Sequence, residues 1–354
     1  MAVDKIKPFN DPRVQLRSAV LNGLSYGYLY SEPPPSVARR GTVLLIHGFP
    51  DLSFGWRYQI PYLTSLGLSV IAPDCVGYGR TDSPLHTLSD FGYKRAADDL
   101  ATLCEQLGLT KILLGGHDWG SAIAWRMTQY YPKLIRALFT FCTPYFPPSL
   151  RYEPLANIIR NYMPNLGYQA HMISGEVEDN VRSRSEIRAF LNAVFSSLNS
   201  ARLDRQAGFD VYRGIDFGLV LSESFPLTDL VSSEELDFYA SEFSRNGIRG
   251  PMNWYRTREI NWTDEYGFFF DHGKIPKPNL RFGATHEILF VRATHDPAIT
   301  DDMVARMRPK VDKLTYHDLE CGHWMLWEKP AEVNRILGQW LEDKVFKEEL
   351  ASKL

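Results

Sequence analysis

GGHDWG, residues 115–120, stands between the apolar run Ile112-Leu113-Leu114 and the small, helix-forming Ser121-Ala122-Ile123-Ala124. That order reads as a tight turn from a strand into a helix. Gly116, Asp118 and Gly120 form a glycine–x–nucleophile–x–glycine frame, in which the flanking glycines let the backbone bend sharply and expose the side chain between them. Such elbows commonly carry serine at the tip; here the tip is a carboxylate.

Similar apolar runs lie on either side of the elbow. Val43-Leu44-Leu45-Ile46, Ser69-Val70-Ile71-Ala72 and Ala137-Leu138-Phe139-Thr140-Phe141 read as strands, and a helical stretch from about Tyr93 to Leu107 stops at Gly108. Strands alternating with helices predict an α/β fold with a mostly parallel sheet. The pattern returns late, with Glu287-Ile288-Leu289-Phe290-Val291 and Leu314-Thr315-Tyr316 as strands and an apolar stripe, Val333, Ile336, Leu337, Trp340 and Leu341, on a closing helix. Between Pro144 and roughly Pro278 the strand signal disappears. One helical stripe runs from Ile187 to Leu198, and Ser232 with Glu235 forms a capping box ahead of another helix that ends near Gly247. A mostly helical segment is therefore inserted in an α/β core.

A carboxylate at the elbow implies a particular chemistry. An unperturbed aspartate has a pKa of about 3.9, so Asp118 is expected to be ionised at neutral pH and able to attack without a base. Attack on a carbonyl would give a reactive anhydride, whereas attack on a saturated carbon bearing a leaving group gives an ordinary ester. An alkyl electrophile is the expected substrate. Water must then cleave the ester, which needs a general base and an oxyanion hole. Gly322-His323-Trp324 follows a strand and precedes the last helix, and Thr294-His295-Asp296-Pro297 follows another strand, so Asp296 is placed to orient His323. The strand ending at Phe141 is followed by Cys142-Thr143-Pro144, with no carboxylate, which favours Asp296 as the acid; Asp318 is the competing candidate. The chain order nucleophile, acid, histidine is that of the α/β-hydrolases. His47-Gly48-Phe49-Pro50-Asp51 matches the loop that supplies one oxyanion-hole amide, so the expected pair is the Phe49 and Trp119 amides.

Composition limits the partners. Net charge is −3 over 354 residues with the basic residues scattered, which argues against a nucleic-acid partner. The hydrophobic fraction of 44% includes no run long enough to suggest a membrane span. Four separated cysteines, Cys75, Cys104, Cys142 and Cys321, show neither metal-ligand spacing nor a disulfide framework. No metal or organic cofactor is expected, and His286-Glu287 lacks a second histidine at helical spacing. The N-terminal stretch Met1 to Asn10 has no apolar core of a secretory signal. Ser352-Lys353-Leu354 at the C-terminus matches the tripeptide read by the peroxisomal import receptor, and so predicts peroxisomal localisation.

The motifs His47-Gly48-Phe49-Pro50, Gly77-Tyr78-Gly79-Arg80-Thr81-Asp82, Gly116-His117-Asp118-Trp119-Gly120, Thr294-His295-Asp296 and Gly322-His323 together resemble the soluble epoxide hydrolases of the α/β-hydrolase superfamily. The resemblance implies a core in two parts, 1–144 and 279–354, with a helical cap at 145–278. It also implies two cap tyrosines that hold the epoxide oxygen: Tyr255, within Gly247-Ile248-Arg249-Gly250-Pro251-Met252-Asn253-Trp254-Tyr255-Arg256, and Tyr168, within Leu166-Gly167-Tyr168-Gln169. Phenols suit an opening epoxide because an alkoxide develops on the substrate. The expected reaction converts an epoxide and water to a vicinal diol through an ester on Asp118.

Other readings stand beside this one. A haloalkane dehalogenase would use the same triad but has no use for the phenol pair. A haloacid enzyme would be expected to carry a carboxylate-binding arginine where Trp119 stands. A non-catalytic binding protein would have little reason to keep Asp118, Asp296 and His323 together. His47, His117 and His295 read as loop braces, the Trp119 indole as pocket lining and Cys321 as a packed side chain. Asp51 reads equally as a water or proton relay and as a helix cap. The choice among aryl, fatty-acid and biosynthetic epoxides is open, with peroxisomal import favouring lipid-derived ones, and oligomeric state is not legible.

Overall fold

The structure is a computed structural model and describes residues 3–198, 208–269, 282 and 285–347. Ten strands lie among the described residues: β1 (Gln15–Leu21), β2 (Leu24–Ser31), β3 (Gly41–Ile46), β4 (Leu68–Pro73), β5 (Ile112–His117), β6 (Ile135–Phe141), β7 (Phe209–Asp210), β8 (Gly214–Ile215), β9 (Glu287–Ala293) and β10 (Leu314–Leu319). Eight form one sheet in the order β1-β2-β4-β3-β5-β6-β9-β10, and β7 pairs with β8 separately.

From β4 to β10 every neighbouring pair in the large sheet is parallel. Strands covered on both faces read as unbroken apolar runs, and β4 and β5 are buried along their whole length. β1 and β2 form an antiparallel hairpin, and β2 joins the sheet antiparallel to β4. The hairpin turns through Asn22 and Gly23, both at positive φ, as a two-residue turn matching the strand twist requires. The sequence reading found the parallel strands but passed over this hairpin.

The register places the chemistry at one edge of the sheet. Gly116 of β5 pairs with Ile46 of β3 and with Thr140 of β6, so the loops after β3, β5 and β6 emerge side by side. The loops after β9 and β10 leave from the same edge, because Ala293 pairs with Leu319. Ligands of open parallel sheets bind beyond these carboxyl ends.

Between β6 and β9 the described residues lie outside the large sheet and are mostly helical, as expected. The helix Arg184–Ser197 and the helix Ser233–Phe243 each start with a capping box, Ser183 with Glu186 and Ser232 with Glu235. The two-residue strands β7 and β8 are exceptions to the expected loss of strand structure there. They are too short to show an alternating pattern. The expected boundary at Pro278 lies outside the described residues.

Among the described residues, the insertion meets the core through ion pairs of one polarity. Glu235 meets Lys5 at 2.7 Å and Arg57 at 3.1 Å, Glu242 meets Arg80 at 3.0 Å, and Glu265 meets Arg126 at 2.6 Å. In each pair the cation belongs to the core and the carboxylate to the insertion. Arg57–Glu235 and Arg126–Glu265 are buried, so removing either partner would leave an uncompensated charge, whereas the Lys5 and Arg80 side chains are partly exposed.

Candidate active site

Asp118 stands between β5 and the helix Trp119–Tyr130 with φ 54° and ψ −122°. This conformation costs a non-glycine residue about 1–3 kcal/mol, and the surrounding structure has to enforce it. The flanking glycines make that possible. A Cβ on Gly116 would lie 2.4 Å from the Gly120 carbonyl oxygen, and one on Gly120 would lie 2.0 Å from the Ile46 carbonyl oxygen. The elbow is therefore packed backbone against backbone, directly beneath the loop that follows β3.

That loop delivers the Phe49 amide, which donates to Asp118 Oδ1 at 2.7 Å. The Trp119 amide also donates to the same carboxylate. Burial raises the Asp118 pKa, while His323 and the two amides oppose the rise without cancelling it. On the other side, Asp118 Oδ2 lies 3.6 Å from His323 Nε2. The two carboxylate oxygens thus have different environments, one in a cradle of amides and the other facing the imidazole.

His323 Nδ1 meets Asp296 Oδ2 at 2.6 Å, and Asp296 Oδ1 accepts from the Ala298 amide at 2.9 Å. The Asp296 side chain is fully buried. Burial by itself would lower the His323 pKa, but Asp296, Asp118 and Asp51 together raise it to about 9. Burial also pushes Asp296 up, and His323 and the Ala298 amide reverse this, leaving its carboxyl below the usual range. The triad expected from sequence is brought together. Asp318 is exposed and turned towards Arg292 and Tyr316.

The His323 backbone is held by His117, in line with its reading as a loop brace, and by Cys142, to which the sequence assigns no such role. Its carbonyl oxygen lies 2.9 Å from His117 Nε2 and accepts from the Cys142 thiol at 3.2 Å. His117, Cys142 and His323 form a buried group whose potential metal-ligand atoms lie within 4.8 Å of one another. Two of those atoms, His117 Nε2 and Cys142 Sγ, are already engaged with a carbonyl. His47 braces a neighbouring loop: its Nε2 accepts from the Cys75 amide at 2.9 Å, and burial lowers its pKa to about 4. His295 contributes through its backbone, the N–H donating to Cys321 O at 3.0 Å. Cys321 is fully buried, as expected of a packing residue.

The two tyrosines converge over the elbow. Tyr255 packs edge-on against Trp119 (centroids 5.0 Å apart), Phe49 (5.1 Å) and Tyr168 (6.0 Å). Burial pushes both phenol pKa values up, so both stay protonated donors through the neutral range. Gln169 Nε2 donates to the Tyr168 hydroxyl at 3.4 Å. The Trp119 indole contacts Tyr255 and Tyr93, consistent with a lining role.

Asp51 is fully buried beside this group. Its Oδ1 accepts from the Tyr239 hydroxyl and the Leu52 amide, each at 2.7 Å, while Oδ2 accepts no hydrogen bond among the described residues. Burial raises its pKa to about 7. The adjacent helical turn Ser53–Trp56 has Leu52 as its N-cap and no side-chain cap. Asp51 therefore does not cap it.

Residues 41–171 match the family described as alpha/beta hydrolase fold. Epoxide hydrolase srdG of Neurospora crassa is 40% identical over 353 residues, covering 97% of this chain and 99% of that protein. Bifunctional epoxide hydrolase 2 of Sus scrofa is 31% identical over 96% of this chain, which spans 59% of that longer protein. The crystal structure of Epoxide Hydrolase A from Mycobacterium thermoresistibile superposes with a TM-score of 0.75 at 27% identity, covering 93% of this chain and 98% of that one. With an aspartate at its elbow and a relative matched from end to end, the chain belongs to the epoxide hydrolase family of the α/β-hydrolase fold.

Proposed function

We propose that the protein hydrolyses epoxides to vicinal diols, with Asp118 as nucleophile, His323 and Asp296 as the water-activating pair, Tyr168 and Tyr255 as donors to the epoxide oxygen, and the Phe49 and Trp119 amides as the oxyanion hole. Asp118 Oδ2 attacks an epoxide carbon, the carbon–oxygen bond breaks, and the departing alkoxide takes a proton from a phenol. This leaves a hydroxyalkyl ester. Water, losing a proton to His323, then adds to the ester carbon of Asp118. The tetrahedral intermediate collapses, the departing oxygen takes the second proton of that water, and the diol leaves; the phenolate regains its proton from the His323 imidazolium that ester formation has acidified, before the imidazole receives the proton of the water. The sum is epoxide plus water giving diol.

One observation carries the reading: the Phe49 N–H lies on Asp118 Oδ1 at 2.7 Å. An oxyanion hole for an ester substrate would be aimed at an oxygen of that substrate. Here it grips the nucleophile's own carboxyl oxygen, where negative charge develops if the ester being cleaved is the one the protein has formed. The electrostatics support the second step. In the free protein His323 is flanked by two carboxylates and holds its proton. Esterification neutralises Asp118, lowers the imidazole pKa and converts it to a base.

Dehalogenation would use the same triad, but a departing halide needs no proton, and two protonated phenols over the elbow suit an alkoxide better. Purified protein given styrene oxide and a matched alkyl bromide should release diol without bromide. Bromide without diol would overturn the assignment of the tyrosines.

The same proposal extends to location and substrate. Ser352-Lys353-Leu354, outside the described residues, is read as a peroxisomal address bound by the import receptor, and lipid-derived epoxides are the substrates such a location favours. A fluorescent fusion that preserves the C-terminus should be punctate and co-localise with a peroxisomal marker. Deleting the tripeptide should disperse it; unchanged distribution would reject the address.

A further inference from the structure

Tyr168 and Tyr255 sit on different parts of the insertion. Tyr255 lies in the short turn Trp254–Arg256, which is fixed to the core by Trp254 Nε1 donating to Val76 O at 2.9 Å. Tyr168 lies in the first turn of the helix Gly167–Ile173, reached from the core side by Asn165 Nδ2 donating to Ala298 O at 2.8 Å. Two phenols that must both reach one substrate oxygen have little positional tolerance, because hydroxyl hydrogen bonds span only about 2.5–3.0 Å. Something must hold the two segments at a fixed separation.

The residue after Tyr255 makes that connection. Arg256 Nη2 lies 2.6 Å from Glu178 Oε1 and donates to the Ile173 carbonyl at 3.4 Å, while Nη1 donates to Asn253 Oδ1 at 3.1 Å. Ile173 is the last residue of the Tyr168 helix, and Glu178 lies in the next helix, Glu176–Asn180. One guanidinium thus grips Asn253, the residue that leads into the Tyr255 turn, on one side and the C-terminal end of the Tyr168 helix on the other. Its planar fork fixes directions as well as distances. A cation is also favoured at a helix C-terminus, where carbonyls lack intrahelical donors. The side chains of Arg256 and Glu178 are 21% and 18% exposed, so solvent screens the pair only partly. Glu178 Oε2 is buried and accepts no hydrogen bond among the described residues, leaving Arg256 as the ion-pair partner of this carboxylate.

We propose that the Arg256–Glu178 ion pair is a positioning device that sets the separation of the Tyr168 and Tyr255 hydroxyls and thereby the rate of epoxide opening. The inference rests on the proposed role of the two tyrosines. Neither Arg256 nor Glu178 forms a hydrogen bond or ion pair with Asp118, Asp296 or His323, so cleavage of the ester is left to other groups. The pair acts on one chemical step and not on the other.

The test is single-turnover kinetics with excess enzyme and styrene oxide as probe, with ester formation and decay followed separately by rapid quench and protein mass spectrometry. Glu178→Gln removes the charge with little change of shape. It should slow ester formation about 10- to 100-fold, the scale of a displacement near one ångström, while leaving ester decay within twofold. Glu178→Asp should recover part of the rate. Arg256→Lys keeps the charge but loses the fork and should also slow formation selectively; it replaces Glu178→Gln as the deciding variant if that protein fails to fold. Unchanged ester formation, or equal slowing of both steps, would overturn the proposal. Tyr168→Phe and Tyr255→Phe are run alongside. If they leave ester formation intact, the two-phenol reading fails; if they slow it while the ion-pair variants do not, only the positioning role fails.

Discussion

Replacing Asp118 by asparagine keeps the shape of the elbow side chain and removes its charge. The account requires this to change His323 in a predictable direction. A neighbouring anion favours the imidazolium, so removing it must lower the imidazole pKa. The separation between Asp118 Oδ2 and His323 Nε2 is 3.6 Å. At an effective dielectric of about 20, two unit charges at that distance interact by about 4–5 kcal/mol, a bound of roughly three pH units. Asp296 remains in place at 2.6 Å and is the stronger influence, so an actual fall of about two units is expected. His323, raised to about 9 in the intact site, should then titrate near 7 in Asp118→Asn. Across the intervening pH range the intact protein carries imidazolium and the variant carries imidazole, as the ester intermediate must if water is to be deprotonated. Nitrogen-15 NMR of histidine-labelled protein reads both ring nitrogens through the titration. A shift below half a unit would refute the claim that esterification switches His323 from acid to base.

Two further outcomes follow from the geometry. Tyr255→Phe removes a phenol held edge-on between Trp119 and Phe49 without changing the packing, and should lower the rate of ester formation by about 10²–10⁴-fold; rapid-quench kinetics showing less than a threefold loss would remove it from the chemistry. Asp51, raised by burial to about 7, binds a proton more tightly folded than unfolded, so its contribution makes stability fall as pH rises from about 4 to 7. Asp51→Asn should therefore gain stability relative to the original protein at pH 8, by up to about 4 kcal/mol, and lose that advantage near pH 4; urea unfolding at both pH values would contradict this if the difference were independent of pH.

The features legible in sequence were those carried by short-range patterns. The glycines flanking Asp118 are needed because backbone crowds each of them, so the elbow leaves a local mark. The unbroken apolar runs of β3, β4 and β5 follow from burial on both faces of a parallel sheet. Ser232 and Glu235 announced their helix because a capping box is a contact between near neighbours. Asn22-Gly23 was an equally local signal for the β1–β2 hairpin and was available in the chain. Other features had no local mark. Tyr239 reaches Asp51 across 188 residues, and the His323 carbonyl meets His117 and Cys142 across 206 and 181. Arg256 illustrates the same limit: its position next to Tyr255 is visible in sequence, but its grip on Ile173 and Glu178 depends on how the insertion folds back. The tyrosine pair itself became readable through resemblance, since isolated tyrosines in a chain with 18 of them carry no assignment.

The central claim is that the ester cleaved in the second step is the protein's own, at Asp118. A single turnover with excess enzyme and styrene oxide in ¹⁸O-water measures this directly. Attack by Asp118 Oδ2 followed by water addition to the Asp118 carboxyl carbon places ¹⁸O in the peptide containing Asp118, and the first diol released carries oxygen from the protein at the newly hydroxylated carbon. The account predicts label in Asp118 and none in that first diol. Label in the diol with an unlabelled Asp118 would mean that water opens the epoxide directly, and would contradict the mechanism.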